Sequence, residues 1–186
     1  MSKKHLYLLG LVTLLIFPLP AYFILKHQEG IELKEFLQLN NFKTIPVSYG
    51  LLFGITYAFF ALVALKADIF DKIPLQIDKI VKDLRLNFTD AIFLSFCAGF
   101  GEELLFRSGI QHYLGILITS ILFVAIHGYF GIKNIKMSLY GIVVLPFILL
   151  ISMGFEHFGL WFSICAHFSY DLTLFIAMIQ EGKKDQ

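Results

Sequence analysis

The chain has 186 residues, of which 58% are hydrophobic and only 16% charged, and its mean hydropathy is +0.76. So few charges could not cover a soluble domain of this length, so an integral membrane protein is expected. A formal net charge of +1 leaves no basic field that would attract nucleic acid. Cys97 and Cys165 both fall in apolar runs and read as small buried hydrophobes rather than as a disulfide or a catalytic thiol.

Lys3 and Lys4 precede an apolar run over residues 6–25. It is longer than a signal-peptide core and no small-residue cleavage site follows, so a retained first span is expected, with Pro18 and Pro20 kinking its outer half. A second span follows at 46–65, opening on Pro46. The charged stretch 66–87 carries Ile73, Ile77, Ile80, Val81 and Leu84 at helical spacing. That pattern predicts an amphipathic helix, lying on the membrane surface or packed on the bundle as an ordinary solvated helix.

Residues 89–112 form a third span, capped by Asn87 or Thr89, and residues 114–130 a fourth, turning near Gly115. Residues 137–153, with Pro146 inside, and 160–180 complete six spans. The expectation is a single all-α, polytopic membrane helix bundle over 1–186: about six transmembrane helices and one interfacial helix. Six spans with the N-terminus inside place Lys3, Lys4, Lys66, Lys72, Lys79, Lys82, Arg85, Lys133, Lys136, Lys183 and Lys184 on one side, and Lys26, Lys34 and Lys43 on the other. This bias predicts that both termini are cytoplasmic.

The third span is interrupted by Glu102, Glu103 and Arg107. Charges at membrane depth are costly and usually face a protein interior or a wet cavity. Glu103 and Arg107 stand four residues apart and can pair on one helix face. Glu102 is rotated by about 100° and left free. His127 lies in the fourth span and His167 and Asp171 in the sixth, the last two also four apart, so that the carboxylate can orient the imidazole. Glu103 and His127 are each ~18 Å from the turn at Gly115, and His167 and Asp171 are ~12 and ~18 Å from Gly159 at the same face. Three helices thus bring their ionisable groups to one layer, whereas His112, near a span end, is expected only to reach the interface. Ser95, Ala98 and Gly99 share the face of Glu102 and offer a small-residue surface for another helix.

Glu102-Glu103-x-x-x-Arg107, Phe123-x-x-x-His127 and His167-x-x-x-Asp171, in this order and each within a span, resemble the three motifs of the CAAX prenyl endoprotease and bacteriocin-processing family. These are the glutamate-type intramembrane proteases also called Abi proteins. The resemblance covers about 91–174, taken as the catalytic core. It implies that Glu102 and His127 activate water, that Glu103 pairs with Arg107, and that His167 and Asp171 serve the developing oxyanion. The family often has asparagine where this chain has Asp171. A carboxylate cannot donate to an oxyanion unless protonated, so Asp171 is expected to hold His167, leaving His167 as the main donor. The resemblance also implies no cofactor and a peptide or protein substrate at the lipid bilayer, and the short chain suggests a compact prokaryotic member in the cell membrane.

Two other readings compete. Glu102, His127, His167 and Asp171 are an acceptable zinc set, which would make a membrane metalloprotease, although no H-E-x-x-H helix pair is present. Buried glutamates and histidines also suit a proton-coupled transporter, against which stands the lack of an evident inverted repeat. A catalytically silent peptide-binding scaffold would carry the same spans.

Overall fold

The computed structural model describes residues 2–65, 76–130 and 135–184. Within them the chain is helical: α1 (Lys3–Leu15), α2 (Pro18–Glu29), the short α3 (Leu33–Phe36), a 3₁₀ turn (Leu39–Asn41), α4 (Thr44–Ala64), α5 (Gln76–Asp83), α6 (Phe88–Glu103), a π-helical segment (Leu104–Ile110), α7 (Gln111–Ile126), α8 (Ile135–Phe158) and α9 (Leu160–Lys184). By length and composition, five continuous stretches could cross a membrane: Lys3–Glu29, Thr44–Ala64, Phe88–Ile126, Ser138–Phe158 and Leu160–Gly182. Their outer surfaces are those of a lipid-facing bundle, with Leu52, Val63 and Leu117 each more than 60% exposed. The all-α membrane bundle expected from composition is the one observed.

The stretch Phe88–Ile126 is not one straight helix. At Gly115 the backbone takes φ 71° and ψ 177°, a conformation that a residue with a Cβ adopts only under strain. The chain therefore folds back there. Phe106 on one arm packs edge to face on Phe123 of the other at 4.7 Å, and Glu102 comes to face His127. One glycine thus makes a helical hairpin of two arms.

Pairwise contacts fix the direction of every helix. The α1–α2 stretch runs parallel to α6 and its continuation. Lys3 Nζ bonds Asp90 Oδ2 at 2.7 Å at one end, and Tyr113 donates to Gln28 at 2.8 Å at the other. Asn87 starts α6 by accepting from the Thr89 and Asp90 amides, while the Asp90 carboxylate accepts from the Asn87 amide, a reciprocal capping box. α9 runs antiparallel to α6, and α4 lies along α9 through the small-residue face Gly50, Gly54, Ala58 and Ala61. Gly99 lies so close to α9 that a Cβ there would meet the Phe168 amide nitrogen at 2.9 Å. That contact brings α6 and α9 to the separation on which the polar centre depends. Lys3 and the C-terminal end of α9 consequently lie at one face of the bundle, with Gly115, Gly159 and residues 30–43 at the other.

The short α5 is more than a surface float. Val81 is buried in the main core cluster, and Lys82 approaches Gly182 near the end of α9. Ile73, Lys66, Lys72 and Lys133 lie outside the described residues.

Candidate active site

Three helices place the singled-out polar side chains around one cavity of about 240 Å³. The end of α6 supplies Glu102, the end of α7 supplies His127, and the middle of α9 supplies His167 and Asp171. Phe123, Phe147, Ile148 and Leu174 make the rest of its wall largely apolar, and Tyr129, Tyr140 and Tyr170 bring phenol groups to it. Glu102 and His127 are partly accessible, their side chains 14% and 32% exposed. Glu103 and Arg107 are at 0%, behind the cavity wall.

His127 closes α7. Its Nδ1 lies 2.7 Å from the Phe123 carbonyl oxygen, which can only accept, so Nδ1 carries a proton and donates. In the neutral ring this leaves a lone pair at Nε2, which faces Glu102 Oε2 at 3.5 Å. That gap is too long for a direct hydrogen bond, and both groups are then acceptors. Stacking on Phe123, at 4.4 Å between centroids, holds the ring plane.

Glu103 is the node of the buried network. Its Oε2 accepts from Arg107 Nε at 2.8 Å and its Oε1 accepts from His167 Nδ1 at 2.8 Å. The i,i+4 pair with Arg107 follows the helical spacing. The bond to His167, across 64 residues of chain, does not. Asp171 also faces His167, at 3.5 Å from Nε2, so the imidazole sits between two carboxylates and the closer one is Glu103. Arg107 lies in the π-helical segment, where the backbone bonds widen from i→i+4 to i→i+5; such segments are frequent at functional sites.

Beyond Arg107 the network continues away from the cavity. Arg107 Nη1 donates to Gln111 Oε1 at 3.3 Å and to Ser152 Oγ. Gln111 Nε2 in turn donates to the Ser152 carbonyl at 3.1 Å and to Glu156 Oε1 at 2.8 Å. Gln111, Ser152 and Glu156 escape a reading based on charge at membrane depth. Gln111 could have been found as the residue four beyond Arg107, but Ser152 and Glu156 come from α8 and meet it only in three dimensions. His112 stands apart at the opposite face, paired with Glu29 at 2.6 Å.

The zinc reading requires three or four ligands around a common point. Among the described residues no group of three His, Cys, Asp or Glu side chains has an arrangement that could hold a metal ion. The donors fall into pairs, Glu102 with His127 and Asp171 with His167, and the remaining nitrogen of each ring is committed to an acceptor. These residues do not fit a metal centre.

The comparisons with known proteins bear on the same stretch. Residues 85–173 match the family described as type II CAAX prenyl endopeptidase Rce1-like. Over these residues, just under half of the chain, the protein is similar to that family. The match begins just before α6 and ends two residues after Asp171, so it takes in all three motifs. No curated protein and no solved structure matches the chain. An Rce1-like core, a bundle of apolar helices and a polar cavity among them describe an integral membrane protein of protease family, acting on a peptide or protein at the membrane.

Proposed function

We propose that this chain is a glutamate-type intramembrane endopeptidase, in which Glu102 and His127 activate water, His167 donates to the oxyanion and Asp171 holds His167. The observation that carries the reading is the pair Glu102 and His127, two acceptors 3.5 Å apart at the wall of one cavity. A water molecule in the cavity has two hydrogens to give and can bridge two such acceptors from the side, each of them drawing density toward its oxygen. As that oxygen attacks the scissile carbonyl carbon, one proton passes to Glu102 and the carbonyl π pair moves onto the oxygen. Collapse of the tetrahedral intermediate breaks the C–N bond, and Glu102 returns the proton to the leaving nitrogen. Glu103, held by Arg107, orients His167 toward the cavity.

Asp171 also lines a second, mainly apolar cleft of about 210 Å³ between α1, α6 and α9, with Leu6, Leu9, Leu94 and Phe175. Its apolar lining suits a membrane-associated peptide or protein better than a polar soluble one. We place both termini in the cytoplasm, because Lys3, Lys79, Lys82 and Arg85 gather at one face of the bundle. The chemistry suits peptide maturation, bacteriocin immunity or processing of C-terminal sorting tails in a prokaryotic cell membrane.

The test is cleavage of a peptide library by detergent-solubilised protein, read by mass spectrometry, with Glu102→Gln in parallel. The proposal requires cleavage by the parent and none by the variant. Proton flux through the parent in liposomes, with no cleavage, would establish the transporter reading instead.

A further inference from the structure

Asp171 leaves the cavity short of a donor, and the structure offers one beside it. On α9 the residues His167, Tyr170, Asp171, Leu174 and Met178, at offsets of 3, 4, 7 and 11 from the first, all line the cavity, so Tyr170 belongs to the same helix face as the paired His167 and Asp171. Tyr170 is 4% exposed, and its hydroxyl lies buried beside the Tyr140 phenol without a hydrogen bond of ordinary geometry. A buried hydroxyl without a well-formed bond is costly, and a ligand in the cavity can supply one. The ring cannot swing to find another. It stacks on Phe147 at 4.0 Å between centroids, with Tyr57 edge-on at 6.1 Å.

Apart from the phenols of Tyr129 and Tyr140, the other polar groups of the cavity have few donors to give. The Asp171 carboxylate only accepts, His127 Nδ1 is given to the Phe123 carbonyl, and His167 Nδ1 is given to Glu103, so His167 has only Nε2, which faces Asp171, to offer the cavity. Resting on the protease reading above, we propose that the Tyr170 hydroxyl donates to the carbonyl oxygen of the scissile peptide bond and holds the oxyanion that forms there, a contact that Asp171 cannot make. The ligand class is a peptide carbonyl. A neutral phenol fixed by ring packing is preorganised for this role, since it needs no reorientation as charge develops on the oxygen.

The experiment measures kcat and KM for one library-derived peptide, together with the melting temperature, on the full chain in detergent. Tyr170→Phe removes the donor and keeps the ring, so kcat falls about 100-fold while KM and the melting temperature hold. Asp171→Asn placed in the Tyr170→Phe background restores about tenfold or more of that loss, because the amide brings back an N–H donor at the neighbouring position. Tyr49→Phe, on the lipid-facing side of α4, behaves as the parent. A parent that cleaves alongside an equally active Tyr170→Phe overturns the inference and leaves the protease reading standing. So does a loss in kcat that follows a fall in melting temperature or that Asp171→Asn does not relieve. A parent that cleaves no peptide overturns the protease reading itself.

Discussion

Glu102 and Glu103 are neighbours in sequence, yet replacing each by glutamine should have opposite consequences. In Glu103 both carboxylate oxygens accept an N–H at 2.8 Å, one from Arg107 and one from His167, and neither Glu103 nor Arg107 has any exposed side-chain surface. Glutamine keeps the shape but must turn its NH₂ toward one of those two donors, and it leaves the Arg107 charge without its counterion. Removing one partner of a buried pair costs about 3–5 kcal/mol. In a chain of this size that corresponds to a fall of about 6–20 °C in melting temperature. Glu102 accepts no hydrogen bond from the protein at Oε2, and its ionic neighbour His127 is 3.5 Å away, so its glutamine variant should lose about 1 kcal/mol or less. Its melting temperature should stay within about 4 °C of the parent. The assay is thermal unfolding in detergent beside peptide cleavage: Glu102→Gln should be stable and inactive, Glu103→Gln unstable and poor in folded yield. Melting curves that fall together would refute the assignment of Glu103 as the structural node and Glu102 as the free base.

Asp171→Asn should keep substantial cleavage, since Glu103 still holds His167 at 2.8 Å, and chelators should change neither protein; chelator-sensitive activity restored by added zinc would contradict the ligand geometry. At the α6–α9 contact, Gly99→Leu should cost about 1–3 kcal/mol by overpacking and displace Glu103 from His167. Gly115→Ala meets nothing in space but should cost about 1–2 kcal/mol through its positive φ, and comparison of the two melting temperatures and activities separates spacing from turn strain. Met178→Cys, at the cavity end nearest the C-terminus, in a background lacking Cys97 and Cys165, should be labelled by an impermeant thiol reagent from the cytoplasmic side of sealed vesicles; labelling from the outer side alone would reverse the orientation.

Much of this protein is set by local and compositional physics that a sequence displays. Long apolar runs can satisfy their backbone groups in lipid only as helices, so the all-α bundle follows from hydropathy. The Glu103–Arg107 pair and the His167–Asp171 approach follow from i,i+4 spacing within one helix. Equal distances from Gly115 likewise bring the Glu102 region to the level of His127, because a helical hairpin pairs residues symmetrically about its turn. What spacing cannot express is which atom of one helix meets which atom of another. The Glu103–His167 bond depends on how closely α6 and α9 approach at Gly99, and that separation decides that Glu103 joins Arg107 to the cavity instead of merely neutralising it. Gln111, Ser152 and Glu156 are ordinary polar residues in the chain and become a network only when α8 is laid against α7. The π-helical turn at Leu104–Ile110 and the buried hydroxyl of Tyr170 at the cavity belong to the same class: each results from packing among several helices, and no single segment carries its signature.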